Sequence, residues 1–437
     1  MDGSRFVGGE NPVNSMVTMT FREFAESVHN FDGAPRTLES VRLPDVPRLI
    51  REEEAGKNRA MIFDRIGDYG RQSVANLFGS SARIFGSVGA DCAEEFFGGI
   101  DDAIGCPEKI HIAEIDIDFV RHYEPKLLNG RLPPIIHSEE DSAPYITSGV
   151  VVARHPITHR HHLCFVRLAI VGDDTLLFNA ATPRIREISR LTVEAGLPLD
   201  VHILIGAPPK VLLAGALHFP DEVDELEVVQ KWAGEQLSFF QHRLPIPRLT
   251  EMVLVGRVMP GLQQEGPFGD SFGTYSTRQN PTCKISEVWE QKEPLYHLLL
   301  GGVSNEHVEL LILKAKHALE HLKNSWDGLI KYSLPIFAGG RLCVLKVGDG
   351  QVSQAHLTAI FAVPLIRTVI LVDVDIDISS ERDILWSLTR RTRGAASFHF
   401  HRGVDDSGGD GKVVIDARAK DPSDVNNCRI AQTDLKP

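Results

Sequence analysis

Residues 145–171 read YITSGVVVARHPITHRHHLCFVRLAIV, and this stretch decides the fold class. Residues 145–154 and 163–171 are both rich in β-branched and apolar side chains, which is the composition of β-strands. The segment between them, HPITHRHH, is polar and contains a proline, as turns do. The pattern therefore predicts a β-hairpin near the middle of the chain.

Helical and strand patterns alternate on both sides of this hairpin, which indicates an α/β protein. Strands are predicted at residues 201–206, 251–258 and 368–378, and helices at 184–195, 308–322 and 379–391. A chain of 437 residues is too long for one hydrophobic core, so we expect several domains. The predicted regions are an N-terminal α/β region (1–107), a central domain for cofactor and substrate (108–305) and a C-terminal α/β domain (306–437).

Composition excludes several classes of partner. The formal net charge is −13, whereas proteins that bind nucleic acid need clustered basic side chains. No apolar run approaches the roughly 20 residues that cross a bilayer, so no membrane partner is expected. The polar N-terminus lacks the apolar core of a signal peptide, and none of the six cysteines forms a C-x-x-C pair. A cytoplasmic protein with reduced thiols is predicted.

The segment EGPFGDSFGTYS (265–276) carries the strongest catalytic candidates. Glu265 and Asp270 lie in what reads as a Gly- and Pro-broken loop, where the backbone can aim both at one point. Arg167 lies on a strand face with apolar residues and must therefore reach solvent or a carboxylate. A guanidinium between two carboxylates can hold a substrate carboxylate and leave one acid to move a proton. The alternative is a structural ion pair beside a solvated acidic loop.

Other motifs have weaker interpretations. The sequence GDSFG fits the G-x-S-x-G pattern of hydrolases around Ser271, but a helix is not predicted after it, as that motif requires. Asp373, Asp375 and Asp377 alternate along a predicted strand, which suggests either a cation site or a half-exposed strand. Lys412, in GGDGK (408–412), is a candidate phosphate contact although the spacing departs from a phosphate loop.

Four histidines lie in or beside the predicted hairpin turn: His155, His159, His161 and His162. A solvated turn would hold such side chains apart, whereas a metal site would need several of them to converge. His162 begins the second strand and is the best candidate for a functional role.

Five segments, in order, resemble the UbiD family of reversible decarboxylases. They are NLFGSSARIFGSVG (76–89), YITSGVVVARHP (145–156), EGPFGDSFGTYS (265–276), VDVDIDISSERDILWSLTRR (372–391) and GKVVIDA (411–417). The resemblance implies three parts: an N-terminal α/β region, a central split β-barrel like that of flavin reductases, and a C-terminal α/β domain that forms a homodimer or higher homo-oligomer.

The resemblance also implies an activity, the non-oxidative loss of CO₂ from an α,β-unsaturated or (hetero)aromatic carboxylic acid. The implied cofactor is prenylated FMN (prFMN), held through a divalent metal (Mn²⁺ or Mg²⁺) and a monovalent cation, K⁺. By this likeness Arg167 would grip the substrate carboxylate, Glu265 would orient it, and Asp270 would be the proton shuttle.

The metal-ligand positions depart from the family pattern of Asn, His and Glu. By this resemblance the Asn position falls on His162, the His position on Ile185 beside Arg184, and the Glu position on Glu227. Either His162 and Glu227 still hold a cation, or Arg184 and Arg186 contact the cofactor phosphate directly. The alternative function is a diverged UbiD-like protein that does not bind prFMN, and that performs a cofactor-independent reaction or serves as a non-catalytic subunit.

Overall fold

The computed structural model describes residues 19–113, 119–348, 352–404 and 410–419. In these ranges the α-helices are α1 (Phe21–Ser27), α2 (His29–Asp32), α3 (Val46–Ala55), α4 (Ser81–Gly86), α5 (Ala93–Gly105), α6 (Pro183–Glu194), α7 (Pro209–Ala214), α8 (Glu225–Ala233), α9 (Asn305–Leu311), α10 (Leu313–Ser325), α11 (Gln354–Ala362) and α12 (Glu381–Arg391). The strands up to residue 205 are β1 (Arg36–Leu38), β2 (Met61–Phe63), β3 (Ser73–Ala75), β4 (Val120–His122), β5 (Tyr145–Ile146), β6 (Val150–Arg154), β7 (His161–Phe165), β8 (Leu168–Ile170), β9 (Thr175–Phe178) and β10 (Leu199–Ile205). The later strands are β11 (Phe239–Phe240), β12 (Ile246–Pro247), β13 (Met252–Gly269), β14 (Tyr275–Glu290), β15 (Tyr296–Leu298), β16 (Leu329–Ser333), β17 (Leu342–Val347), β18 (Thr368–Val372), β19 (Phe398–Val404) and β20 (Asp410–Asp416).

Three larger sheets organise the described part of the chain. A four-stranded sheet has the order β1-β2-β3-β15, and a nine-stranded sheet runs β5-β8-β9-β14-β13-β10-β6-β7, with β4 on the edge of β14. All pairings reported for the nine-stranded sheet are antiparallel. A five-stranded sheet runs β16-β17-β18-β20-β19, with β17, β18 and β20 parallel. The α/β class and a three-part arrangement are therefore observed.

The predicted hairpin is confirmed as β6 and β7, which pair from Val150 opposite Phe165 to Arg154 opposite His161. Each predicted strand is nevertheless interrupted. Ser148 donates through its hydroxyl to the carbonyl of His297 at 2.6 Å, which draws the chain between β5 and β6 towards β15. A second break, between β7 and β8, contains Arg167.

Both faces of β6 are buried. Val150 and Val152 belong to one core cluster, and Val151 and Ala153 belong to another. Because successive strand residues point to opposite faces, β6 lies between two packed layers. This explains why its sequence is a continuous apolar run rather than an alternating one.

The predicted strand at residues 368–378 is too long, because β18 ends at Val372. Beyond it, Arg391 donates to Asp373 at 2.7 Å and to both oxygens of Asp375 at 2.7 and 2.9 Å. Asp377 instead accepts from the backbone N–H of Ser379 at 2.9 Å. The guanidinium of Arg391 thus neutralises Asp373 and Asp375. This arrangement argues against the predicted cation site.

The helical predictions in the C-terminal region are close to the structure. The predicted helix at residues 379–391 is α12, capped by the Ser380 hydroxyl on the N–H of Asp383. The predicted helix at 308–322 is divided into α9 and α10 at Ile312. Among the described helices, none has the length and apolar composition needed to cross a bilayer.

Candidate active site

Arg167 and Glu265 form a buried ion pair. Nη2 of Arg167 lies 2.7 Å from Oε2 of Glu265, and the two side chains are 13% and 1% exposed. Nδ2 of Asn280, on β14, donates to the same carboxylate oxygen at 2.9 Å. The removal of two charges from water is offset only by close pairing and additional hydrogen bonds, and this site supplies both.

The position of Glu265 depends on a bulge in β13, so the predicted loop is wrong for most of residues 265–276. The pairing of β13 with β14 continues to Gly269 opposite Tyr275, with a shift of register between Glu265 and Phe268. Gly266 lies in this shift with a φ of 99°, and a Cβ there would be 2.5 Å from the carbonyl oxygen of Ser276. Only glycine fits this close approach, which sets the direction of the neighbouring Glu265.

Two buried polar atoms of the ion pair have no hydrogen-bond partner among the described residues. They are Nε of Arg167 and Oε1 of Glu265. The Phe268 ring lies 4.7 Å from Cζ of Arg167, and its centroid is 4.4 Å from that of Tyr145. Buried polar groups are nearly always paired, so a polar ligand could complete this arrangement. The free N–H of Arg167 can donate to a carboxylate against an aromatic wall.

Tyr145 adds an ionisable group to this wall. Burial raises the pKa of Tyr145, and the negative charge of Glu265 raises it further. The phenol therefore stays protonated at neutral pH and remains a hydrogen-bond donor beside the ion pair.

Asp270 lies in the tight turn between β13 and β14 and does not pair with Arg167. Its Oδ1 accepts from the backbone N–H groups of Phe272 at 3.0 Å and Thr274 at 3.2 Å, and from the Thr274 hydroxyl at 3.1 Å. The predicted guanidinium between two carboxylates is thus an ion pair of Arg167 with Glu265 alone, and the second acid, Asp270, lies on the adjacent turn. The turn itself satisfies the Asp270 carboxylate, so no direct ion pair is needed.

His307, on α9, interacts electrostatically with both Arg167 and Asp270. The sequence analysis did not predict this residue. Its Nδ1 lies 2.9 Å from the carbonyl of Gly302 and must therefore carry the hydrogen, which leaves Nε2 with a lone pair in the neutral ring. Burial lowers the pKa of His307, while the charges of Asp270 and Arg167 act on it in opposite directions. No motif surrounds this residue, so nothing in the sequence pattern pointed to it.

A second buried cluster joins His162, Glu225 and Arg184. Oε1 of Glu225 is 2.8 Å from Nδ1 of His162 and accepts from Nη1 of Arg184 at 2.6 Å. Its Oε2 accepts from the backbone N–H of Leu163 at 2.6 Å. Burial alone would lower the pKa of His162, but the Glu225 carboxylate and the Cys164 side chain together outweigh it and raise the pKa to about 10. The imidazole is therefore charged, and its buried Nε2 has no partner among the described residues.

The structure brings Glu225, and not the predicted ligand Glu227, to His162. Residues two apart on an α-helix point about 200° apart, so the two side chains of α8 cannot share this position. The carboxylate of Glu227 is half-buried and makes no hydrogen bond or ion pair within the described ranges. Ile185, at the predicted histidine position, is fully buried in an apolar core.

A divalent metal does not fit this donor set. Both oxygens of Glu225 already accept hydrogen bonds, Ile185 has no ligand atom, and the guanidinium of Arg184 stands where a metal would need the carboxylate. A nearby second cation would be repelled. Arg184 and protonated His162 instead present positive charge and one free N–H, which are suited to a phosphate.

The other two predicted phosphate contacts lie elsewhere. Arg186 is exposed and lines a shallow surface depression with Pro183, Glu187 and Arg190. Lys412 donates to the carbonyls of Phe361 at 2.8 Å and Val363 at 2.6 Å. Lysine satisfies the carbonyls at a helix C-terminus in this way, so the observed role of Lys412 is structural and the prediction of a phosphate contact is not supported.

The remaining polar motifs do not converge on a site. His155 accepts from two backbone N–H groups of its own turn, whereas His161 pairs with Asp224 at 2.8 Å. Ser271 is in the hairpin turn and is followed by β14 rather than by a helix. The hydrolase interpretation is therefore wrong, because its nucleophile requires a strand-to-helix turn.

Two segments of the chain match models of known protein families. Residues 116–304 match the 3-octaprenyl-4-hydroxybenzoate carboxy-lyase Rift-related domain, and residues 311–417 match the corresponding C-terminal domain. Together these matches cover more than half of the chain.

Curated relatives include two archaeal proteins named anhydromevalonate phosphate decarboxylase. The protein from Methanocaldococcus jannaschii is 31% identical over 275 residues, which are 60% of this chain and 63% of that protein. The protein from Methanothermobacter thermautotrophicus is 26% identical over 276 residues, or 61% and 64% of the two chains. The chain thus spans less than two thirds of the length of these relatives.

Solved structures match almost the whole fold. The UbiD-class enzyme HmfF from Pelotomaculum thermopropionicum, in complex with prFMN, has a TM-score of 0.82 at 21% identity, covering 95% of this chain and 97% of that chain. The 3,4-dihydroxybenzoic acid decarboxylase from Enterobacter cloacae has a TM-score of 0.79 at 20% identity, covering 98% of each chain. With the two matching domains, these observations show that the chain belongs to the UbiD family.

Proposed function

We propose that this protein is a carboxy-lyase that removes CO₂ non-oxidatively from an α,β-unsaturated or (hetero)aromatic carboxylic acid, with prFMN as its cofactor. The observation that carries the proposal is the buried pair of Arg167 and Glu265, which leaves Nε of Arg167 and Oε1 of Glu265 unpaired. Buried polar atoms are nearly always paired, so these free atoms, beside the aromatic surface of Phe268 and Tyr145, favour a binding site for a polar ligand.

Each residue of the site has a proposed role. The guanidinium of Arg167 binds the substrate carboxylate, and Glu265 fixes the orientation of that guanidinium. The aromatic surface of Phe268 and Tyr145 excludes water from the planar acid. The bound prFMN supplies an electron sink for the carbon that loses CO₂.

The reaction replaces the bond between carbon and CO₂ with a bond to hydrogen, so one proton must be delivered. Asp270 is the proposed shuttle: its carboxylate takes up a proton and passes it to the substrate carbon after CO₂ leaves. The charge of Asp270 raises the pKa of His307, which shows that the two side chains interact electrostatically. No oxidant or reductant is consumed.

The cofactor phosphate is proposed to be held by protein cations rather than by a divalent metal. Arg184 also pairs with Asp221, whose side chain is 86% exposed. An exposed ion pair contributes little, so a phosphate can replace Asp221 at small cost. The free Nε2–H of His162 would donate to the same group.

A second candidate function follows from the altered ligand positions. The buried Ile185 removes a family ligand, which favours a diverged member that does not use prFMN. Expression with and without a flavin prenyltransferase separates the two. The proposal expects a flavin absorption band and the mass of prFMN only after co-expression, and a colourless protein in both cases would favour the second candidate. Potassium is compared with sodium in the same assays, because the family resemblance implies a monovalent cation.

Self-association into a homodimer or higher homo-oligomer is part of the proposal. Large apolar side chains are exposed in the C-terminal region, including Val374 at 57%, Leu385 at 60% and Phe400 at 72%. A second copy of the chain that packs against this region would remove these apolar side chains from water. Light scattering coupled to gel filtration measures the mass, and a monomer at all concentrations would contradict this expectation.

A further inference from the structure

Three potential metal ligands converge where an N-terminal helix meets a C-terminal one. Asp101 lies on α5, and His317 and His321 lie one turn apart on α10. Residues four apart on a helix share a face, so the two imidazoles point in the same direction. The three ligand atoms all lie within 4.8 Å of one another.

The distances between these atoms match one face of a tetrahedron. Nε2 of His317 is 2.8 Å and Nε2 of His321 is 3.4 Å from Oδ1 of Asp101, and the two nitrogens are 3.2 Å apart. Ligands at about 2.0–2.1 Å from a tetrahedral zinc ion are roughly 3.3–3.4 Å apart. Two of the three separations are therefore within about 0.2 Å of this spacing, and the third must lengthen by about half an ångström.

The environment fixes one imidazole and leaves the other accessible. The His317 side chain is only 12% exposed and stacks on Phe97, with centroids 5.1 Å apart and planes at 12°. His321 is 58% exposed, which gives an ion a path from solvent.

We propose that Asp101, His317 and His321 bind a divalent ion of the zinc, cobalt or nickel class, with water in the fourth position. Two imidazoles and one carboxylate suit these ions, whereas calcium and magnesium prefer oxygen ligands alone. The bound ion would join α5 to α10 and thereby tie the N-terminal region to the C-terminal one. This site shares no residue with the Arg167 or His162 clusters and does not depend on the proposed decarboxylation.

Titration of chelator-treated full-length protein with zinc, followed by calorimetry, tests the site. We expect wild-type protein to bind an ion that His321→Ala binds at least tenfold more weakly. His29→Ala, which removes an exposed histidine elsewhere, should bind like the wild type. Since His321 is largely exposed, the variant should retain the circular dichroism of the wild type.

Cobalt supplies a second measurement that does not depend on affinity. Tetrahedral Co²⁺ has intense visible absorption, so the wild type should show this band and Asp101→Asn should lose or shift it. Equal zinc affinity in the wild type and His321→Ala, or a cobalt band that is identical in the wild type and both variants, would overturn the proposal.

Discussion

Nη1 of Arg184 lies 2.6 Å from Oε1 of Glu225, the oxygen that also pairs with Nδ1 of His162. A guanidinium and an imidazole thus share one buried carboxylate, and the imidazole is that of His162, which the family resemblance predicts as a metal ligand. An arginine supplies a fixed charge and planar donors, and neither depends on the availability of an ion. We therefore expect that the protein retains its flavin without a divalent metal.

The first prediction is that flavin retention requires Arg184 and not divalent metal. The Arg184→Ala variant should retain at least tenfold less flavin than the wild type, because it lacks one of the two proposed phosphate-binding cations. Arg186→Ala is the matched control: this arginine lies on the same helix but is exposed, so it should retain flavin. Flavin absorbance per protein is measured after gel filtration with EDTA. Loss of flavin from the wild type under EDTA would contradict the prediction.

The second prediction concerns the pH dependence of stability. The pKa of His162 is raised to about 10, above its ordinary value of about 6.5. Its pairing with Glu225 is therefore fully stabilising below pH 6.5 and is lost as the pH rises through about 10. Glu225→Gln should be less stable than the wild type by about 3 kcal/mol at pH 6, by analogy with other broken buried pairs. This difference should shrink towards pH 10.

Urea denaturation at several pH values measures this difference. Glu222→Gln, an exposed change three residues before Glu225, is the control and should follow the wild type at every pH. A difference between Glu225→Gln and the wild type that is the same at pH 6 and pH 10 would remove His162 from the explanation. Arg184 stays charged throughout, so part of the difference should persist at pH 10.

The third prediction separates the structural from the functional role of the Arg167 pair. Glu265→Gln leaves a buried guanidinium unpaired and should destabilise the protein by about 3–5 kcal/mol. The double variant Arg167→Met/Glu265→Leu replaces both charges with apolar groups and should recover most of that loss. It should nevertheless be inactive. Recovery of both stability and turnover would show that the pair is structural only.

The fourth prediction is that Asp270→Asn abolishes most turnover while the fold is kept. The amide oxygen can still accept from the N–H groups of Phe272 and Thr274, so the turn should survive. Loss of the shuttle should lower kcat by about 10²–10⁴-fold. Glu140→Gln, an exposed neutral substitution nearby, is the control. Full activity in Asp270→Asn, with unchanged circular dichroism, would remove Asp270 from the mechanism.

Much of the site could be predicted because burial constrains charges strongly. Arg167 on an apolar strand face had to find a carboxylate, and Glu265 is that partner at 2.7 Å. Which side of a helix a residue faces is harder to predict. The carboxylate beside His162 was expected on the segment that forms α8, but at Glu227 rather than at Glu225. Nor could the sequence show that the turn amides would satisfy Asp270.

Strand ends were hard to predict for a related reason. Alternation of aspartate with apolar residues after Val372 has the period of a strand, yet Arg391 binds Asp373 and Asp375 at the point where β18 stops. The partner lies 16 and 18 residues further along the chain. Periodicity within a short window contains no information about such a distant side chain.

Release of CO₂ is the most direct test of the central claim that Arg167 and Glu265 bind a carboxylate for decarboxylation. Protein co-expressed with a flavin prenyltransferase is incubated with a panel of unsaturated and aromatic acids, and CO₂ is measured by mass spectrometry. We predict release from at least one acid by the wild type and a loss of at least a hundredfold in kcat/KM in Arg167→Lys, because lysine lacks the planar fork of donors. Equal rates for the two proteins, or no release from any acid by flavin-loaded wild type, would contradict the account.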